Sequence, residues 1–202
     1  MTFERAMVIL FTKVAQTVIA ERFTHTFFDN DGNRVRKVFA YLFSVFIAIF
    51  VNLFFHKPIF NFLSIFLGLS AIALSYNGTI KRKCIFVFYI LAVSCLIDLV
   101  VSAFLIKPFG YDGYSAFVSI FALLLLHATQ LITERFFEND LGIELNNRYW
   151  LFIIASLLVC IITSIVIFMD KTVSSFSLSL VCGAFLLVNI IISYLMDDLV
   201  ES

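Results

Sequence analysis

The chain alternates long continuous apolar runs with short polar segments. Six runs are unbroken: Val38–Phe55, Ile59–Tyr76, Cys84–Ile106, Ala116–Thr133, Trp150–Met169 and Phe176–Met196. A weaker run, Ala6–Phe23, comes first and is interrupted by Lys13 and Gln16. A helix needs roughly 20 residues to cross about 30 Å of hydrocarbon, and each run is near that length. Backbone polar groups find no water in lipid, so only helices or closed barrels span it. The runs are continuous rather than alternating, which predicts helices. The pattern therefore predicts an all-α, polytopic transmembrane bundle over residues 1–202, a single domain of seven spans. It has six if the first run is an amphipathic helix lying in the interface.

Charge orders the spans. The segments after spans one, three and five hold Arg34, Arg36, Lys37, Lys81, Arg82, Lys83, Arg135 and Arg148, and Arg22 closes span one. The N-terminus and the segments after spans two, four and six hold only Arg5, Lys57, Lys107 and Lys171. By the positive-inside rule the richer set is cytoplasmic. The expectation is a multi-pass cell-membrane protein with its N-terminus outside and its C-terminus in the cytoplasm.

A short repeat adds to this. Ala15–Phe23 reads AQTVIAERF and Ala128–Phe136 reads ATQLITERF, and each is followed by a near-copy, FFDND at Phe27–Asp31 and FFEND at Phe136–Asp140. Spans one to three then read as a parallel repeat of spans five to seven, with span four joining them. The alternative is coincidence in apolar sequence of low complexity.

Composition agrees with a bilayer. The residues are 62% hydrophobic and the net charge is zero. A soluble domain of this size could not cover so much apolar surface, and nothing in the balance suggests a nucleic-acid partner. Phe counts 26, which suits lipid-facing surface or, more sharply, an aromatic ligand groove. Cys84, Cys95, Cys160 and Cys182 form no CxxC pair and have no His at ligand spacing. They read as free thiols, and neither a metal nor another cofactor is expected. The N-terminus has no cleavable signal pattern.

Polar groups inside hydrocarbon are costly and usually have a function or a partner. Asp98 lies mid-span with no cation in its own run. It reads equally as a coupling residue pairing across the bundle, with Lys13 the natural partner, or as a carboxyl that only holds two helices together. His127, Gln130 and Glu134 fall at i, i+3 and i+7 on one helical face, and the repeat places Thr17 and Glu21 at equivalent positions. They predict a polar seam between the two halves, with ordinary interhelical hydrogen bonding as the plainer reading. On the outer side, Lys57, Phe109, Tyr111 and Tyr114 sit in turn segments shaped by Pro and Gly. They suit contact with an extracellular ligand carrying apolar side chains, or an aromatic belt at headgroup level. Lys81-Arg82-Lys83 reads as a topology signal that would also attract anionic lipid. There is no Gly-rich phosphate loop, no HExxH and no Ser-His-Asp set, so no enzyme is expected.

Phe66–Val101 contains Ala73-Leu-Ser-Tyr-Asn-Gly-Thr-Ile-Lys-Arg-Lys83, then a long span with Asp98 at mid-membrane. Leu131–Met169 has a charged turn and the entry Arg148-Tyr149-Trp150. Together these resemble the membrane sensor region of AgrC-like, GHKL-type bacterial sensor histidine kinases, over nearly the whole chain. The resemblance implies a homodimeric receptor for an extracellular peptide, acting in quorum sensing and relaying its signal through the last span to a cytoplasmic kinase module. That module is not in these residues. His25, His56 and His127 lie in no phosphoacceptor motif, so this chain by itself is not expected to phosphorylate anything. The competing expectation is a small transporter or permease component. A pheromone-maturing membrane peptidase is a weaker third, because its Gly-Gly-x-His run is missing.

Overall fold

The computed structural model describes residues 3–28, 33–55, 58–106, 109–110, 115–137 and 161. They form five α-helices: α1 Phe3–Phe27, α2 Arg34–Phe54, α3 Pro58–Ser75, α4 Ile80–Val101 and α5 Ala116–Phe137. A π-helical turn, Ser102–Ile106, extends α4. No strand occurs among the described residues. Each of the first five apolar runs is therefore helical, with ends moved by a few residues. Of the expected spans Trp150–Met169 and Phe176–Met196, all but Ile161 lies outside the described residues.

Three stretches are long and apolar enough to cross a membrane: Arg34–Phe54, Ile80–Ile106 and Ala116–Arg135. Phe60–Ser75 is apolar but shorter, and α1 does not reach the same hydropathy. The described residues thus give three long apolar helices and a membrane protein, where the apolar runs alone suggested seven spans.

Local signals explain the helix starts. Asn33 caps α2, its side chain accepting from the Val35 N–H at 3.0 Å. Thr79 caps α4 by accepting from the Arg82 N–H at 3.4 Å. Ser, Thr and Asn satisfy the free N–H groups of a first turn in this way. The α3–α4 turn passes through Gly78 at φ 148°, where the Phe28 ring lies 3.4 Å from where a Cβ would sit. After the π turn, the Gly110 N–H bonds the Ile106 carbonyl at 2.9 Å and the chain reverses at φ 67°. Both are glycine conformations, as expected for tight turns.

The packing runs opposite to that of a water-soluble bundle. Along α1, Met7, Leu10, Phe11, Val14 and Val18 face outward, while Lys13, Ala20 and Thr24 are buried. Along α2, Phe39, Phe43, Phe46, Phe50 and Phe54 are exposed, while Ala40 and Ala48 are buried with Ser44 half-buried between them. Small residues every fourth position let two helices approach closely where lipid offers no hydrophobic drive for packing. The facing helix α3 answers with buried Ser64 and Gly68, and a Cβ on Gly68 would overlap Ser44 Oγ.

At one end of the bundle, α1, α4 and the turn after α3 meet in an aromatic cluster. Phe28 stacks on Tyr76 at 5.4 Å between ring centroids and meets Phe86 edge-on at 5.2 Å. Phe27 contacts Phe86 and Tyr89, each at 5.7 Å. The excess of Phe is thus divided: Phe23, Phe27, Phe28 and Phe86 are packed, and a larger set, concentrated on α2, faces outward.

Candidate functional site

The most unusual side chain in the described bundle is Lys13. It sits near the middle of α1 with only 9% of its surface exposed. Burying a charge is costly, about 2.5–3.5 kcal/mol for Lys at the centre of an inserted helix. Its ammonium donates to Gln16 Oε1 at 3.1 Å, one turn further along α1. It borders a partly open cleft of about 60 Å³. Gln16 and Thr17 from α1, Ser44 from α2 and Ser94 from α4 supply the other polar walls. Ala48, Leu69, Ile90 and Leu126 make the apolar ones. The Thr17 hydroxyl is occupied, donating back to the Lys13 carbonyl at 2.8 Å.

Asp98 lies one turn beyond Ser94 on α4. It is exposed, and α1 and α4 are in contact. The carboxylate and the Lys13 ammonium lie within electrostatic range of each other. No ion pair within 4 Å joins them. The π turn starts just past Asp98, and the Ser102 N–H is shared between the Asp98 and Leu99 carbonyls. Such π segments recur next to functional positions in long helices.

The polar face of α5 is only partly as expected. Gln130 is completely buried, and neither its Oε1 nor its Nε2 has a hydrogen-bond partner. His127 and Glu134 are half-buried. Thr133, on the same side, is buried and bonds the Tyr89 hydroxyl at 2.8 Å, joining α5 to α4. The repeated segments are packed against each other, because α1 and α5 are in contact. Their burial also matches: the repeat aligns buried Lys13 with buried Leu126, buried Ala20 with buried Thr133, and exposed Val18 with exposed Leu131. Lys13 and Leu126 line the same cleft. Glu21, however, is exposed while its counterpart Glu134 is not, so the repeat does not give two equal polar seams.

Of the outer residues, Phe109 is exposed beside the Gly110 reversal. Lys57, Tyr111 and Tyr114 lie outside the described residues.

Sequence reading missed a second polar centre. The hydroxyls of Thr24, Tyr41 and Tyr76 form a closed triangle, with sides of 3.1, 3.0 and 3.0 Å, linking α1, α2 and the end of α3. Lys37 Nζ lies 4.1 Å from the Tyr76 ring centroid, and Arg36 donates to the Leu74 carbonyl at 2.7 Å. The only signal was tyrosine inside or at the edge of an apolar run, which an aromatic belt explains equally well.

Among the described residues no group of His, Cys, Asp and Glu is placed to hold a metal ion. Cys84 and Cys95 are free thiols, whereas Cys160 and Cys182 lie outside the described residues. No family model, curated protein or solved structure matches the chain.

Proposed function

We propose that the chain is a membrane-embedded receptor domain. Its seven spans would place the N-terminus outside and the C-terminus in the cytoplasm, and it would pass an extracellular peptide signal to a histidine kinase module. The observation that carries this reading is the relation between Lys13 and Asp98. They come from helices far apart in sequence, lie within electrostatic range, and are not closed into an ion pair. Two opposite charges at membrane depth have two arrangements, paired and apart, and a ligand that prefers one shifts the population. Peptide contact falls to Lys57, Phe109, Tyr111 and Tyr114, and coupling to Asp98 and Lys13. His127, Gln130 and Glu134 then hold α5 in the moving group. Dimerisation belongs to the same proposal, since sensor kinases of this kind act in pairs.

The test joins residues 1–202 to the cytoplasmic part of a peptide-responsive histidine kinase, with a transcriptional reporter and medium conditioned by the source cells. The expected result is a dose-dependent output that Asp98→Asn shifts without lowering the amount of protein in the membrane. A normal dose response in that variant removes the coupling role. No output under any medium removes the receptor reading.

A second reading, a small transporter, is favoured by one observation: the two repeated helices pack together beside a polar cleft. Proteoliposome uptake of small solutes, abolished by Lys13→Met, would select it over sensing.

A further inference from the structure

We propose that the cleft at Lys13 binds a small monovalent anion, chloride or a carboxylate the size of formate. An ammonium carries three N–H donors. Lys13 uses one, to Gln16, and makes no ion pair among the described residues. Two further donors stand on the same cleft wall. The Ser44 and Ser94 hydroxyls come from different helices, and neither forms a hydrogen bond within the described structure. Thus residues carrying one charged donor and two neutral ones, from α1, α2 and α4, line one space. No carboxylate lines that space. The set accepts an anion and offers a cation nothing but the Gln16 amide oxygen and hydroxyl lone pairs.

A further polar group lies near this cleft, though not on its wall. Gln130 is completely buried with both amide atoms unpartnered, one turn along α5 from Leu126 of the cleft wall. Buried polar groups without partners are rare in folded proteins and each has a cause, a bound water or ion among them. Size and charge narrow the choice. A cleft of about 60 Å³ has room for one small ion with water, since a water needs roughly 10–15 Å³ of such space. Lys13 supplies a single positive charge, which balances a monovalent anion but not a sulfate or phosphoryl dianion, whose desolvation costs more. Asp98, within electrostatic range but outside the cleft, opposes the anion and keeps its affinity modest. The site stands whether the chain senses or transports.

The experiment uses the full chain in detergent or nanodiscs. Gluconate is exchanged for chloride at constant ionic strength, and the thermal unfolding midpoint is followed against chloride concentration. The expected result is a saturable rise, reproduced by formate and absent with sulfate. Lys13→Met removes the rise. Ser44→Ala with Ser94→Ala raises the half-saturating concentration at least about threefold, since each lost hydrogen bond to a charged group weakens binding by this order or more. Asp98→Asn lowers it by about three- to tenfold, the size of a unit charge acting at a distance in a partly screened interior. The same rise in Lys13→Met as in the unaltered chain overturns the site. So does the absence of any chloride-specific rise, which would leave water as the occupant. If Lys13→Met does not fold, the double serine variant decides: an unchanged half-saturation point overturns the proposal. Signal output enters none of these measurements, so their failure is separate from failure of the receptor reading.

Discussion

At the scale of single residues, the bundle holds two kinds of polar group, and they predict opposite outcomes. Gln130 is buried with no partner for either amide atom. An unsatisfied buried amide carries its desolvation cost without the compensating bond. With gluconate in place of chloride, Gln130→Leu should therefore stabilise the protein by about 1–2 kcal/mol, read by denaturation in mixed micelles. Destabilisation would mean that a bound water or ion normally satisfies the amide. The hydroxyl triangle of Thr24, Tyr41 and Tyr76 is fully satisfied. Tyr41→Phe and Tyr76→Phe should each cost about 1 kcal/mol. The double variant should cost less than the sum, because each single change already breaks the shared Tyr41–Tyr76 bond. Additive losses would show that the triangle does not act as a unit. Thr133→Val, which leaves the Tyr89 hydroxyl without its bond to α5, should cost a similar amount.

At the scale of the element, α2 and α3 show how the helices find each other. Ala40, Ser44 and Ala48 recur every fourth residue on the inner face of α2, and Ser64 and Gly68 do so on α3. This spacing brings the two backbones close, and Gly68 is the tightest point. Gly68→Ala should destabilise by about 1–3 kcal/mol, the usual cost of overfilling a packed contact. Ser44→Ala in the same chain should return part of that loss, because it removes the nearest overlapping atom but leaves the Ser44 Cβ position at 3.1 Å. No loss in the single variant would mean that the helices separate easily. The helices themselves were legible in the sequence, since their apolar runs are long and continuous. Their faces were much less so. Phe39 and Phe86 look alike in an apolar run, yet one is exposed and the other fully buried. The hydrophobic content is nearly uniform round α1, α3, α4 and α5, so burial there is decided by small residues and by scattered polar ones. The face shared by Lys13, Thr17 and Ala20 was visible only through its copy near Leu126, Gln130 and Thr133. The Thr24–Tyr41–Tyr76 triangle joins positions up to 52 residues apart, and no periodicity marks it.

For the whole molecule, the open question of the first helix can be argued from its packing. α1 is less apolar than its neighbours, which is why the run Ala6–Phe23 also read as an interfacial helix. Yet it has 25 residues, which at 1.5 Å each come to about 37 Å, more than a hydrocarbon core. It contacts α2, α4 and α5, turns its Lys and Thr groups inward and shows a stripe of Met, Leu, Phe and Val outward. An interfacial helix would do the reverse, with its charged face in water. The arrangement favours a crossing, and under the proposed topology a crossing α1 puts the N-terminus on the same outer side as Phe109. Single cysteines on a cysteine-free background test this with an impermeant maleimide on intact cells. Thr2→Cys and Phe109→Cys should label from outside, and Thr79→Cys only after the membrane is opened. Labelling of Phe109→Cys but not Thr2→Cys would return α1 to the inner interface. Labelling of Thr79→Cys alone would invert the whole bundle, and with it the side from which any ligand arrives.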